Sequence, residues 1–199
     1  MVKNLIFDLS EVIINGLLGV ERELAVTLGL PEKEIINSFW GKEFEELLTG
    51  EIDEDFYIDN LIKSARWNIS RAELKEAIRR NFHEEVEGVI PLINSLSQKY
   101  KLYLLSDHSK EWIEYIMTVH PFLNIFEKVS FSYEFRMMKK DPAVFPELLR
   151  RLDLKPEECL FIDDHQRNVD NARLAGIDGI RFLNAEQLKE DLLKKNVFC

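Results

Sequence analysis

The chain has 199 residues, 46% of them hydrophobic and 31% charged, and its formal net charge is −10 with histidine neutral. This length predicts one globular domain, or one domain with a sizeable insert, and the composition excludes a disordered chain. The acidic charge argues against a protein that coats nucleic acid or an anionic membrane surface. No stretch reaches the roughly 18 apolar residues that a membrane span requires. Asp8 and Glu11 interrupt the N-terminal apolar run, so we expect no secretion signal there.

The use of cysteine favours a location inside the cell. The two cysteines, Cys159 and Cys199, are too few for a disulfide framework. Cys159 lies in an apolar run, which predicts a small core residue. We therefore expect a protein of the reducing cytoplasm.

The first predicted element is a buried strand at residues 2–7, and a long helical segment follows it. Residues 15–85 carry apolar stripes at helical spacing and show no convincing strand. Helix starts are predicted at Ser70, where Glu73 completes a capping box, and near Asp53. The segment is too long for an ordinary crossover connection, so it indicates a helical insert placed after the first strand.

Strand and helix patterns alternate from residue 86 onward. Amphipathic stripes predict helices at residues 88–99, around Trp112 and at residues 144–152. Apolar runs predict further strands at residues 102–105, 129–131, 159–162 and, as a fifth candidate, 179–183. This alternation is typical of an α/β fold, in which helices cover both faces of a parallel sheet.

Polar residues follow the predicted strands, at the edge where open parallel sheets bind their ligands. In chain order they are Asp8; Ser106, Asp107 and His108; Ser132, Lys139 and Lys140; and Asp163 and Asp164. Grouped carboxylates repel one another unless a cation joins them, and hard oxygen ligands suit Mg²⁺. A lysine and a hydroxyl suit a phosphate. Helix capping is the alternative for each residue taken alone, and Asp107 would cap the helix of Trp112.

Four motifs in order resemble those of the haloacid dehalogenase superfamily, whose members are mostly Mg²⁺-dependent phosphatases. LIFDLSEVII resembles the strand before a nucleophilic aspartate, and LYLLSDHS resembles a strand that ends in serine or threonine. SYEFRMMKKDPAVF is similar to the lysine motif, and LFIDDHQRNVDNARLAGI is similar to the acidic motif. The resemblance covers nearly the whole chain. It implies a Rossmann-like core formed by residues 1–14 and 86–199, with residues 15–85 as a small all-helical cap domain.

The resemblance assigns a metal site to the acidic motifs. Asp8 matches the nucleophile, which forms an aspartyl-phosphate and also binds Mg²⁺. The backbone carbonyl at Ser10 matches a further metal ligand. Asp164 matches the direct acidic ligand, and Asp163 matches its neighbour, which reaches the metal directly or through water. Asn168 matches a residue that holds this pair in place.

The resemblance assigns phosphate binding to the second and third motifs. Ser106 matches the hydroxyl that binds phosphate, and Asp107 stands beside it where the family often has asparagine. Lys139 matches the lysine that neutralises phosphate and nucleophile together. Lys140 falls where proline is common, so we expect a solvated surface charge. Arg136 stands where the family often has glycine.

The main departure from the family is Ser10, which stands where typical phosphatases have a second aspartate. That aspartate protonates the leaving alcohol, and general acid–base help of this kind contributes a factor of about 10²–10⁴. We therefore expect slow turnover, or a substrate whose leaving group needs less protonation, such as a sugar 1-phosphate. The neighbouring Glu11 is expected to be structural or to face solvent rather than to replace the missing acid.

The leading hypothesis is a cytoplasmic Mg²⁺-dependent phosphatase of a small phosphorylated metabolite, possibly a sugar phosphate. Two alternatives stay open: a 2-haloacid dehalogenase, and a weakly active or non-catalytic phosphate-binding protein. We expect no nucleic-acid or membrane partner, and a monomer or homodimer. The cap would select the substrate, and the candidate cleft-facing residues are Trp40, Glu43, Phe44 and Tyr57.

Overall fold

The computed structural model describes residues 1–198, so Cys199 lies outside the described residues. Within that range five parallel strands form one sheet: β1 (Asn4–Phe7), β2 (Lys101–Ser106), β3 (Lys128–Phe131), β4 (Cys159–Asp163) and β5 (Asp178–Arg181). Their order across the sheet is β3-β2-β1-β4-β5. The register pairs Phe7 with Leu104 on one side and with Ile162 on the other, so the central strands end level at one edge. All five predicted strands are confirmed, with small shifts at their ends.

The segment between β1 and β2 begins with helices, as predicted. They are α1 (Val20–Leu28), α2 (Glu32–Phe39), α3 (Lys42–Leu48), α4 (Glu54–Ala65) and α5 (Arg71–Asn81). Both predicted helix starts are confirmed. Asp53 accepts a hydrogen bond from the backbone N–H of Phe56 at 2.8 Å, and Ser70 with Glu73 forms the capping box before α5.

The two ends of this helical segment lie side by side. The N–H of Asn15 donates to the carbonyl of Glu84 at 2.8 Å, and the N–H of Val86 donates to the carbonyl of Ile13 at 2.9 Å. These contacts lie at the two predicted domain boundaries. One apolar cluster nevertheless runs from Phe7 of the sheet into the inserted helices, so the division into core and cap stays a prediction.

The remaining helices cover both faces of the sheet. They are α6 (Val89–Leu96), α7 (Lys110–Val119), α8 (Ser132–Phe135), α9 (Val144–Leu152), α10 (Gln166–Leu174) and α11 (Ala185–Lys194), with short 3₁₀ helices at Pro121–Ile125 and Pro156–Glu158. Leu5 and Phe7 belong to an apolar cluster with residues of α6, α7 and α11. Ile6 belongs to a second cluster with residues of α9 and α10. Because alternate strand residues point to opposite faces, these two clusters confirm the predicted α/β layers.

Two smaller expectations concern exposure. Among residues 1–198, no helix combines the length and the apolar character that crossing a membrane demands. Cys159, the first residue of β4, is buried as predicted, and burial raises the pKa of its thiol to about 11.

Candidate active site

A buried ion-pair triad lies at the carboxyl ends of the central strands. Lys139 Nζ is 2.6 Å from Asp8 Oδ2 and 2.7 Å from Asp163 Oδ2. All three side chains are almost fully buried, with 0–7% of their surface exposed. Burial alone would lower the pKa of Lys139, but the carboxylates of Asp163 and Asp8 hold it above its ordinary value. The lysine is therefore a permanent cation between two carboxyl groups.

The charge of the acidic cluster exceeds what this lysine offsets. Burial raises the pKa of Asp8 to about 8; Lys139 acts in the opposite direction, and the charges of Asp163 and Asp164 raise it further. One ammonium thus faces the carboxyl groups of Asp8, Asp163 and Asp107, and Asp164 adds a further charge near Asp8. A divalent cation with oxygen ligands fits this donor set and would complete its charge balance.

The two residues of the acidic pair have different surroundings. The carboxylate of Asp163 accepts hydrogen bonds from Asn168 Nδ2 at 3.0 and 3.2 Å and from the backbone N–H of His165 at 2.8 Å, besides its contact with Lys139. Asp164 keeps 22% of its side chain exposed and lies 2.9 Å from the imidazole of His165. Asp164 is therefore the more open carboxylate of the pair, while the amide of Asn168 fixes the orientation of Asp163.

Ser106 and Asp107 lie beside the triad at the end of β2. Ser106 is 1% exposed, and within the described residues its Oγ has no hydrogen-bond partner. A buried hydroxyl without a partner is costly, so Ser106 is suited to receive a ligand oxygen. The prediction that Asp107 caps the next helix is wrong, because Ser109 accepts from the backbone N–H of Trp112 instead. Asp107 accepts from the backbone N–H of Lys139 at 3.0 and 3.2 Å, and so positions that lysine.

Ser10 has a partner that the sequence analysis missed. Its Oγ lies 3.0 Å from His108 Nε2, and the imidazole is 2% exposed. Burial, with a smaller contribution from Lys139, lowers the pKa of His108 to about 3, so the ring is neutral. Its position just after β2, one residue beyond Asp107, was the signal available in the sequence, but no pattern there shows its contact with Ser10.

Glu11 stabilises the loop that follows β1. Its backbone φ is 61°, and its Oε1 accepts a hydrogen bond from the N–H of Gly16 at 2.8 Å. A Cβ at Gly16 would lie 2.8 Å from the Cβ of Ser10, so the loop requires glycine there. Glu11 is thus engaged in a structural role, as expected. Arg136 adopts the left-handed conformation, with φ of 52°, at the position where the family often has glycine.

A cleft of about 400 Å³ opens above these residues. Asp8, Ser106 and Lys139 line its floor, and the inserted helices contribute Trp40, Phe44 and Leu48 to its wall. The lining also includes Ser10, Asp107, Lys140, Asp164 and Asn168.

Two of the four candidate cap residues lie elsewhere. Tyr57 is buried and donates to the carbonyl of Phe39 at 2.6 Å, while Glu43 is exposed and accepts from Asn60. Neither belongs to the cleft lining. Lys140, expected as a solvated charge, is 39% exposed; it also lines the cleft and forms an ion pair with Glu45 of α3.

The parallel sheet and its acidic edge form the α/β architecture that the four motifs predict. Residues 5–182 match the sequence profile of the haloacid dehalogenase-like hydrolases, and the chain belongs to that family. The expected family membership is therefore confirmed.

Relatives extend this similarity over most of the chain. A D-ribitol-5-phosphate phosphatase from Bacteroides thetaiotaomicron is 24% identical, covering 96% of this chain and 97% of its own. Flavin mononucleotide hydrolase 1 from Arabidopsis thaliana is 24% identical, covering 94% of this chain and 75% of its own. A haloacid dehalogenase family enzyme from B. thetaiotaomicron, solved with magnesium and inorganic phosphate, superposes with a TM-score of 0.79 at 24% identity, covering 94% of this chain and 99% of that one. At this identity the superposition establishes the fold, and the magnesium belongs to that relative.

Proposed function

We propose that this protein is a Mg²⁺-dependent phosphomonoester hydrolase of a small phosphorylated metabolite, with Asp8 as its nucleophile. The observation that carries the proposal is the buried ammonium of Lys139, which contacts both Asp8 and Asp163 in the cleft that the unpartnered hydroxyl of Ser106 also lines. A fixed cation at this place offsets the repulsion between an anionic nucleophile and an anionic phosphoryl group.

The reaction proceeds in two displacements at phosphorus. In the first, a carboxylate oxygen of Asp8 forms a bond to phosphorus while the bond to the ester oxygen breaks, and that oxygen leaves with the electron pair. In the second, water attacks the same phosphorus, the bond to Asp8 breaks, and inorganic phosphate is released. Throughout, Lys139 donates to the phosphoryl oxygens and Ser106 donates its hydroxyl hydrogen to one of them.

The metal would be held by Asp8, Asp164 and the backbone carbonyl of Ser10, with Asp163 reaching it directly or through water. When bound, Mg²⁺ supplies positive charge that favours the ionised form of Asp8 and orients the phosphoryl oxygens. Asp163, Asn168 and the other neighbours of Lys139 act by positioning: they hold the ammonium where the nucleophile and the phosphoryl group meet.

The named activities of the relatives favour the same chemistry, since both act on phosphate esters of small molecules. The proposal also includes residues 1–14 and 86–199 as a core domain, residues 15–85 as a cap, a cytoplasmic location, and a monomeric or homodimeric state. The carboxylate cluster favours phosphate chemistry over dehalogenation, because attack at carbon needs neither a metal nor a second acidic residue.

The test is phosphate release from a panel of phosphorylated metabolites, sugar phosphates included, with and without Mg²⁺. Release should require the metal and should disappear in Asp8→Asn. The matched control is Asp170→Asn, which changes an exposed carboxylate on α10 that pairs with Arg173. If no compound releases phosphate in the presence of Mg²⁺, the proposal fails. Chloride release from a 2-haloacid, unaffected by a chelator, would support the dehalogenase instead.

A further inference from the structure

A continuous aromatic wall leads from the mouth of the cleft to the candidate nucleophile. Trp40 packs on Phe44 with ring centroids 5.0 Å apart, and Phe44 lies 6.3 Å from Trp112. Trp112 lies 5.6 Å from Phe82, which in turn lies 5.6 Å from the ring of His108. All five side chains line the cleft, and His108 contacts the residue two positions after Asp8. The space beyond the phosphate position is therefore bordered by rings.

The polar atoms of this wall are either engaged or shielded: His108 Nδ1 has no partner within residues 1–198, but it is buried away from solvent. Trp112 Nε1 donates to Glu54 Oε1 at 2.9 Å in the interior of the protein, and His108 Nε2 is held by Ser10. Among residues 1–198, the side chains that the insert (residues 15–85) contributes to the cleft lining are all apolar, namely Leu17, Leu18, Trp40, Phe44, Leu48 and Phe82. A leaving group rich in hydroxyls would lose its water there without gaining hydrogen bonds in return.

Two large apolar residues stay exposed at the cleft mouth. Trp40 is 45% exposed and Leu18 is 48% exposed, although most residues of this size are buried in the core. Both belong to the lining of the cleft rather than to a distant surface. An apolar body seated between them would remove their surface from water, which is favourable.

The chemistry of the leaving oxygen restricts the substrate further. Ser10 has no carboxyl group to offer, Glu11 accepts from the backbone of Gly16, and Asp107 accepts from the backbone of Lys139. The imidazole of His165 also lines the cleft, but it pairs with Asp164 at 2.9 Å. None of these four side chains is thus a free acid for the departing oxygen. A phenolic oxygen leaves with its electron pair delocalised into the attached ring, so it needs no proton as the bond breaks.

We propose that the substrates are aryl phosphates, that is, phosphomonoesters of a flat and largely apolar phenol whose ring packs between Trp40 and Leu18. This inference rests on the proposed phosphatase function and narrows its substrate class, away from the sugar phosphates that the sequence suggested. The bond from phosphorus to the phenolic oxygen breaks, Asp8 takes the phosphoryl group, and the aryloxide takes its proton from solvent after it departs.

The experiment compares kcat/KM for 2-naphthyl phosphate, phenyl phosphate and glycerol 2-phosphate, all with Mg²⁺. The first two have phenols of similar acidity, so their difference reports ring packing alone. We expect 2-naphthyl phosphate to exceed phenyl phosphate by about tenfold, as one added aromatic contact allows. Both should exceed glycerol 2-phosphate by about hundredfold, because the aromatic wall offers hydroxyl groups no hydrogen-bond partner.

Variants separate the aromatic wall from general effects. Trp40→Ala should remove the preference for naphthyl over phenyl, and Trp40→Phe should restore most of it. Phe56→Ala is the matched control, since Phe56 is a 53% exposed aromatic residue on the same inserted helices and lies outside the cleft lining.

The outcomes distinguish the aryl phosphate proposal from the proposed phosphatase function on which it rests. If release is dependent on Mg²⁺ and Asp8 but glycerol 2-phosphate is the better substrate, or if Trp40→Ala leaves the naphthyl preference intact, the aryl proposal is wrong and the phosphatase stands. If none of the three esters is cleaved while another phosphate ester is, the aryl proposal again fails alone. Release from no ester at all would overturn both.

Discussion

Replacing Lys139 by methionine should strongly destabilise the protein, because it leaves buried carboxylates without their cation. Nζ lies within 2.7 Å of both Asp8 and Asp163, and all three side chains are at most 7% exposed. Removing one partner of a buried ion pair typically costs about 3–5 kcal/mol. The free energy of unfolding of native proteins is only about 5–15 kcal/mol, so Lys139→Met should lose about a fifth of the total or more.

Urea-induced unfolding measures this loss, and the next residue in the chain supplies the control. Lys140 pairs with Glu45 while its side chain stays 39% exposed, and solvent screens such a pair to about 0–1 kcal/mol. Lys140→Met should therefore shift the unfolding midpoint little. Adding Asp8→Asn to Lys139→Met should recover part of the loss, because it removes one of the two buried carboxyl groups that lose contact with the ammonium. Equal effects of the two lysine substitutions would refute the idea that the buried ammonium balances the acidic cluster.

Three further predictions concern the pH dependence of stability, the ion pairs that join Glu54 of α4 to α5, and the buried thiol. Burial raises the pKa of Asp8 to about 8, above its unfolded value of 3.8. The contribution of Asp8 to the stability of the metal-free protein is therefore fully present below about pH 4 and is lost as the pH rises toward 8. Asp8→Asn should flatten this part of the pH profile of urea unfolding. Glu54 is 1% exposed and pairs with Lys75 and Arg79, so Glu54→Gln should cost about 3 kcal/mol in thermal or urea unfolding. The change of the exposed Asp55 to Asn should shift the unfolding midpoint much less, because solvent screens its pair with Lys75. In a Cys199→Ser background, Cys159 should resist a thiol-specific reagent at pH 7 until urea unfolds the chain, because burial raises its pKa to about 11; fast labelling of the folded protein would contradict this.

The strand pattern of the sequence was sufficient to predict the sheet and its chemistry-bearing edge. Short apolar runs mark each strand because both faces of a parallel sheet are buried, and the residues that follow them must then meet at one edge. Asp8, Ser106, Lys139 and Asp164 are therefore found together in one cleft, as their positions in the chain implied. Local capping was also readable where the acceptor and donor are three residues apart, as in Ser70 and Glu73.

Contacts between residues far apart in the chain could not be predicted from the sequence. His108 and Ser10 are 98 residues apart, and neither type suggests the other as a partner. Trp112 and Glu54, 58 residues apart, meet only because α7 packs against the inserted helices. The wrong cap prediction before α7 has another cause, because Asp107 and Ser109 are both residue types that cap helices well. The backbone N–H of Lys139 donates to Asp107, and Ser109 is left to cap the helix.

The most direct test of covalent catalysis is to trap the phosphorylated enzyme. The protein is mixed with 2-naphthyl phosphate and Mg²⁺, quenched in acid within milliseconds to seconds, and weighed by intact-protein mass spectrometry. If Asp8 is the nucleophile, the wild type and the Asp170→Asn control should gain the mass of one phosphoryl group, mapped to the peptide that contains Asp8, and Asp8→Asn should gain none. Phosphate release that persists in Asp8→Asn, or an adduct mapped to another residue, would contradict the account.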